Sequence, residues 1–165
     1  DPDHQARDYR WVTHRLTEAG LEHYEVSNFA RCGFACQHNQ GYWDGRDYIG
    51  LGASAHSHIA GRRFWNTEAP ADYIRRMSQE RVARAGEETL DSLGRFMEAL
   101  LIGLRLTRGV DIAALSRKFS VSMPTGVSGQ IQAFVKEGLL EAEGSCLRPT
   151  LEGLVVLDEM CARLV

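Results

Sequence analysis

Between Asp8 and Ala19 the apolar residues Tyr9, Val12 and Leu16 recur every three to four positions in a polar background, which predicts a helix, and Gly20 supplies its stop. From Leu21 to Ser27 the period drops to two, with Tyr24 and Val26 alternating with charged neighbours, the pattern of a strand. Helix, glycine and strand in that order form the usual unit of folds that mix the two. Phe29 to Arg46 sets Gly33, Gly41 and Gly45 among aromatic and polar residues without a sustained period and reads as a long ordered loop, a kind of segment that often carries function. Asp47 to Ile59 is apolar and small. The Ala60-Gly61-Arg62 turn before Arg63 to Trp65 then predicts a hairpin, and Pro70 opens a helix to about Gln79.

A second module follows. Leu93, Phe96, Leu100 and Leu101 mark one amphipathic helix, Ile112 to Phe119 a second and Thr125 to Glu137 a third, closed by Gly138. Strand-like pieces around Leu139 to Leu147 and a last helix over Leu151 to Arg163 complete the order of a winged helix. The expected fold class is therefore α+β: a first part over residues 1–80, a linker at 81–86, and a mostly helical, winged-helix-like module over 87–165. No internal repeat is visible.

Composition narrows the classes. The 165 residues are 44% hydrophobic, enough for a buried core, and no apolar run approaches the roughly 20 residues that cross a bilayer. The N-terminal residues have no signal-peptide core, so a cytoplasmic location is expected. A formal net charge of -3 argues against a surface built for nucleic acid. The four cysteines, Cys32, Cys36, Cys146 and Cys161, are too few and too irregular for a disulfide framework, and Asp1 reads as the boundary of a piece of a longer chain.

Four constellations could carry chemistry. Cys32-x-x-x-Cys36 has Asn39 where a third cysteine would be needed, and an iron-sulfur core open at one iron requires three thiolates, so no cluster cysteines are assigned. Gly50-Leu51-Gly52-Ala53-Ser54-Ala55 matches a dinucleotide fingerprint in letters. That fingerprint must open a helix, whereas His56 to Trp65 reads as strand and turn, so close approach of a ligand or another backbone is the better reading. His38, with Tyr42 and Trp43, could contact a haem or porphyrin, His38 ligating the iron; a loop anchored by its aromatic residues is the alternative. Asp111 to Gly138 has helix-turn-helix order, but Thr125 to Glu137 carries only Lys136, and residues 87–165 hold 8 basic against 11 acidic side chains. Packing or partner contact is the plainer use of that module.

Taken together, Tyr24-Glu25-Val26-Ser27-Asn28-Phe29-Ala30-Arg31, His38-Asn39-Gln40-Gly41-Tyr42-Trp43 and Tyr48-Ile49-Gly50-Leu51-Gly52-Ala53-Ser54-Ala55-His56 resemble, in order and spacing, the oxygen-independent coproporphyrinogen III oxidase-like family of radical S-adenosylmethionine proteins. The His-Asn-x-x-Tyr-Trp form is more similar to the haem chaperone branch than to the decarboxylating oxidases. The resemblance implies a longer parent, an oxidoreductase-like protein with a [4Fe-4S] cluster and S-adenosylmethionine on a partial β/α barrel, with residues 1–80 as the C-terminal end of that barrel. It implies that Gly52, Ala53, Ser54, Ala55 and His56 lie near S-adenosylmethionine, and that His38 takes part in haem binding. It also implies a haem-accepting protein as a candidate partner. The cluster motif belongs to the family's N-terminal part, so this chain should hold no cofactor tightly, carry no catalytic residue and be inactive alone. Two other classes stay open on the residues: a winged-helix, nucleic-acid-binding regulator with a separate ligand domain, and a small enzyme using the glycine-rich segment for a nucleotide.

Overall fold

The computed structural model describes residues 1–165, the side chain of Pro2 excepted. The fold is α+β, and all strand pairs among the described residues are antiparallel. Helix α1 (Pro2–Glu18) starts six residues earlier than periodicity predicts, because Asp1 caps it by accepting from the Asp3 amide at 3.0 Å and proline suits the first turn. Gly20 leaves the helix at φ +81°, in the left-handed region. Strand β1 (Glu22–Glu25) follows as expected and pairs with β2 (Asn28–Ala30).

The segment expected to be a long loop, Phe29 to Arg46, instead contains the end of β2 and helix α2 (Gln37–Trp43). Both elements escape sequence patterning for physical reasons. Three residues are too few to display a period. Helix α2 has seven residues with Gly41 inside, and Cys36 at its N-cap makes no side-chain capping bond.

Hairpin β3 (His56–Ile59) and β4 (Arg62–Asn66) turns through Ala60 and Gly61, both with positive φ. Helix α3 (Pro70–Gln79) has the predicted bounds, and β5 (Arg84–Thr89) completes a sheet of order β3-β4-β5. Arg84 to Gly86, part of the expected linker, thus belong to a strand, with Trp65 opposite Gly86.

The remaining elements are α4 (Ser92–Gly103), β6 (Val110–Asp111), α5 (Ile112–Phe119), α6 (Thr125–Lys136), β7 (Leu140–Glu143) and β8 (Cys146–Pro149). With the sheet ordered β6-β8-β7, this is the winged-helix arrangement. Asp91 and Asp111 cap α4 and α5 by accepting from the amides of Gly94 and Ala114. The expected last helix is two, α7 (Leu151–Val155) and α8 (Leu157–Ala162), interrupted at Val156, where Gly153, Val155 and Val156 favour helix poorly.

The core gathers Phe96, Leu100, Phe134, Leu140, Leu157 and Met160 from this C-terminal module. Apart from Ala83, every buried apolar side chain among the described residues lies at or beyond Phe96. The N-terminal elements therefore lean on the module. Tyr9 of α1 and Val26 pack against its core, Arg10 forms a two-pronged pair with Glu152 of α7, and the segment after α4 runs along β1, with the Val26 amide donating to the Arg105 carbonyl at 2.8 Å.

Candidate functional site

Glu25 is the best-buried acid of the chain, 1% exposed, although the alternation of β1 would turn Tyr24 and Val26 inward and Glu25 out. Its carboxylate accepts from the Ser27 amide at 3.2 Å, from the Asn28 side-chain amide and from the Trp43 indole at 3.0 Å. Three donors replace the water that a buried carboxylate loses. The first two belong to the turn into β2 and the third to the end of α2, so one side chain joins two of the sequence motifs. Beside it, Tyr9 donates to the Val26 carbonyl at 2.7 Å and lies 3.3 Å from Nε2 of His23. Burial, with the Glu25 charge adding to it, pushes the Tyr9 phenol up to about 12. Burial also lowers the His23 pKa, against the opposing pull of the Val26 carbonyl and Glu25. The His23 ring stacks on Phe29 with centroids 4.3 Å apart.

From this node α2 carries His38 and Tyr42 outward. His38 is exposed, and its ring meets Tyr42 edge-on at 4.9 Å; Tyr42 meets Tyr48 at 4.8 Å, and Tyr48 tilts against His58 at 6.1 Å. Among the described residues no hydrogen bond or ion pair occupies the His38 imidazole, so a ring nitrogen remains free for a metal or ligand. A cavity of about 160 Å³ lies at His38, Tyr42 and Tyr48. Another of about 310 Å³ shares Tyr42 and Tyr48 and continues to Trp43 and His58. Trp43 lines that space with part of its ring while its N–H is held by Glu25, and Arg105 covers the indole at 5.4 Å from the ring centroid. Tyr48, His58 and Glu25 were not singled out from the sequence as site residues. Glu25 sits in a quoted motif, but its burial has no local signature.

The glycine-rich segment is a loop pinched at its base, where Tyr48 and His58 exchange both backbone hydrogen bonds at 2.8 and 3.0 Å. It leads into strand β3, so the dinucleotide reading falls and close backbone approach holds: a methyl group on Gly50 would run into the His56 carbonyl. The amides of Gly52 and Ser54 are already engaged, by the Tyr73 hydroxyl at 3.3 Å and the Thr67 carbonyl at 2.9 Å, and the Gly52 carbonyl accepts from Asn66 at 2.9 Å. What the loop can offer a ligand is its small outer surface, the Ser54 side chain and the His56 ring, which stacks on Trp65.

Cys32 and Cys36 are exposed and unpaired, and the Cys32 thiol is held up by a hydrogen bond to Glu22. No group of three metal-ligating side chains occurs among the described residues. Two thiols and an amide do not meet the donor demand of a [4Fe-4S] cluster, while a lone accessible imidazole among aromatic rings does suit haem iron. No helix of the described residues is long and apolar enough to cross a membrane.

The chain is similar to several known proteins. Residues 91–156 match the HemN C-terminal domain. Across all 165 residues the chain is 33% identical to the heme chaperone HemW of Mycobacterium tuberculosis, covering 40% of that relative. It is 39% identical over 116 residues to the heme chaperone HemW of a Synechocystis strain, covering 69% of this chain and 28% of the relative. To the mitochondrial radical S-adenosyl methionine domain-containing protein 1 of Danio rerio it is 31% identical over 92% of this chain and 37% of the relative. Among solved structures, coproporphyrinogen III oxidase (HemN) from Escherichia coli shares the fold, with a TM-score of 0.75 at 15% identity over 94% of this chain and 39% of that one. The chain thus spans about two fifths or less of the length of these relatives. It is part of a HemN-like protein of the radical S-adenosylmethionine class. Within that class it belongs with the haem chaperone branch.

Proposed function

We propose that, in the whole protein, this chain supplies the face that receives haem or a porphyrin, with His38 as the iron ligand and Tyr42 and Trp43 against the macrocycle. The observation that carries this reading is the run of rings from His38 through Tyr42 and Tyr48 to His58, which begins at an accessible imidazole and borders open space. Haem, when bound, supplies an iron that takes a neutral imidazole nitrogen. The chain's own part is to hold that imidazole and to offer flat apolar surface beside it. The relatives named as heme chaperones support the reading, and a haem-accepting protein is the partner class the reading implies.

S-adenosylmethionine and a [4Fe-4S] cluster go with the radical S-adenosylmethionine class of the relatives. In our reading the Gly52 to His56 loop faces the S-adenosylmethionine side, and the cluster is held by residues outside this chain. Residues 1–80 then act as the ligand-facing part and 87–165 as the module that supports it.

A haem titration of the chain followed by its Soret band tests the assignment. The unmutated chain should shift the band, and His38→Ala should lose the shift. A band that moves equally in both would remove His38 from the role.

A further inference from the structure

The space beside Trp43 does not end at His58. A third cavity of about 250 Å³ shares Trp43, Gly45, His58, Glu98 and Ile102 with the one described above and runs between α4 and α5. Its floor is apolar, including Ala99, Ile102, Leu106 and Leu115. Its polar side chains are not equivalent. Asp44 is paired with both Arg108 and Arg46, Glu98 is paired with Arg63, and Asp111 is committed to the amides that open α5. Arg95 and Lys118 are left over: neither has a carboxylate within ion-pair distance among the described residues. Both cations lie against the same ring, that of Phe119, at 5.3 and 5.2 Å from its centroid. Two exposed positive groups thus share one ring at the edge of a largely apolar slot, with no carboxylate of the described residues within ion-pair distance of either.

We propose that Arg95 and Lys118 form a carboxylate-binding pair, which receives the acidic side chains of an amphiphilic, planar ligand whose apolar body lies along the slot toward Trp43. Resting on the reading of the previous subsection, the ligand class is a tetrapyrrole, and the carboxylates are its propionates. The chemistry suits both partners. An arginine fork and a lysine ammonium give charge-assisted hydrogen bonds to carboxylates, and the apolar floor accepts ring carbon. Because both cations are exposed in the free chain, their ionic contribution falls as salt rises.

The test uses metal-free coproporphyrin, which has carboxylates and no iron, and its tetramethyl ester, with binding to the 165-residue chain read by porphyrin fluorescence at low and high salt. The free acid should bind about tenfold more tightly than the ester at low salt, and Arg95→Gln/Lys118→Gln should erase that preference while leaving circular dichroism and melting unchanged. His38→Ala should keep it. Equal binding of acid and ester, an unaltered preference in the double variant, or no binding of coproporphyrin would each overturn the proposal. A retained acid preference together with a haem Soret shift insensitive to His38→Ala would instead remove the iron ligand and leave the carboxylate pair standing.

Discussion

Trp43 donates its indole N–H to the carboxylate of Glu25 at 3.0 Å, tying the last residue of α2 to the last residue of β1. Trp43→Phe removes one of three donors from a buried carboxylate and should cost about 1–3 kcal/mol in urea unfolding. Glu25→Gln turns an amide donor toward the indole donor, so it should cost at least as much. The double variant should be clearly less destabilised than the two effects added, because both remove one shared contact. Additive losses in that cycle would show that the bond contributes little.

His23 gives stability a pH dependence separable from that of the surface acids. Its folded pKa lies below the ordinary 6.5, so on acidification the unfolded chain takes up a proton before the folded chain does. The His23 contribution is complete above pH 6.5 and declines below it. The carboxylates lowered by ion pairs, Glu87 and Glu152, act only around and below their ordinary 4.5. Melting temperatures between pH 7 and 5.5 should therefore fall in the unmutated chain and stay flatter in His23→Gln.

Tyr9 works at the other end of the scale. Its phenol is pushed from 10.0 to about 12, so the unfolded chain ionises first and the Tyr9 contribution is lost as pH rises from 10 toward 12. In Tyr9→Phe this alkaline loss should shrink, and at neutral pH the variant should be less stable by about 1 kcal/mol for the missing bond to the Val26 carbonyl.

Glycine substitutions should differ in sign by position. A methyl group on Gly50 or Gly153 would strike the carbonyl of His56 or Leu139, so alanine there should destabilise by about 1–3 kcal/mol. Gly126 and Gly129 face open space in α6, and alanine should stabilise each by roughly 0.5–1 kcal/mol through helix propensity. Thermal unfolding of the four single variants checks both halves.

Helix α6, at the reading position of a winged helix, carries one basic residue, Lys136, in its last turn. Duplex DNA should therefore not be retarded by the chain in a gel even at about 50 mM salt, where phosphate contacts are strong. A salt-dependent shift would revive the regulator reading.

Much of the framework was legible in the sequence because it follows local rules. Pro70 and the amphipathic spacing of Ile112 to Phe119 give two helices their observed bounds, and Gly20, Gly61 and Gly138 turn where positive φ is needed. What escaped depends on distant partners. Strand β5 is called into the sheet by β4, which a local reading of residues 81–86 cannot register. Glu25 is buried because Asn28 and Trp43 reach it, so the alternation in β1 points the wrong way. His38, Tyr42 and Trp43 could be named in advance from their types and motif. Arg95 and Lys118 stand out only once every nearby acid is seen to be engaged elsewhere.

Arg10 meets Glu152 across 142 residues of chain. The pair is largely exposed on both sides, so helix α1 should open more readily in local fluctuations than the buried core helices. Amide hydrogens of α1 should exchange with solvent while those of Phe96 and Phe134 remain protected. Because Tyr9 rides on α1 and anchors the Val26 carbonyl, each such opening also loosens the strand from which the rest of the site is hung.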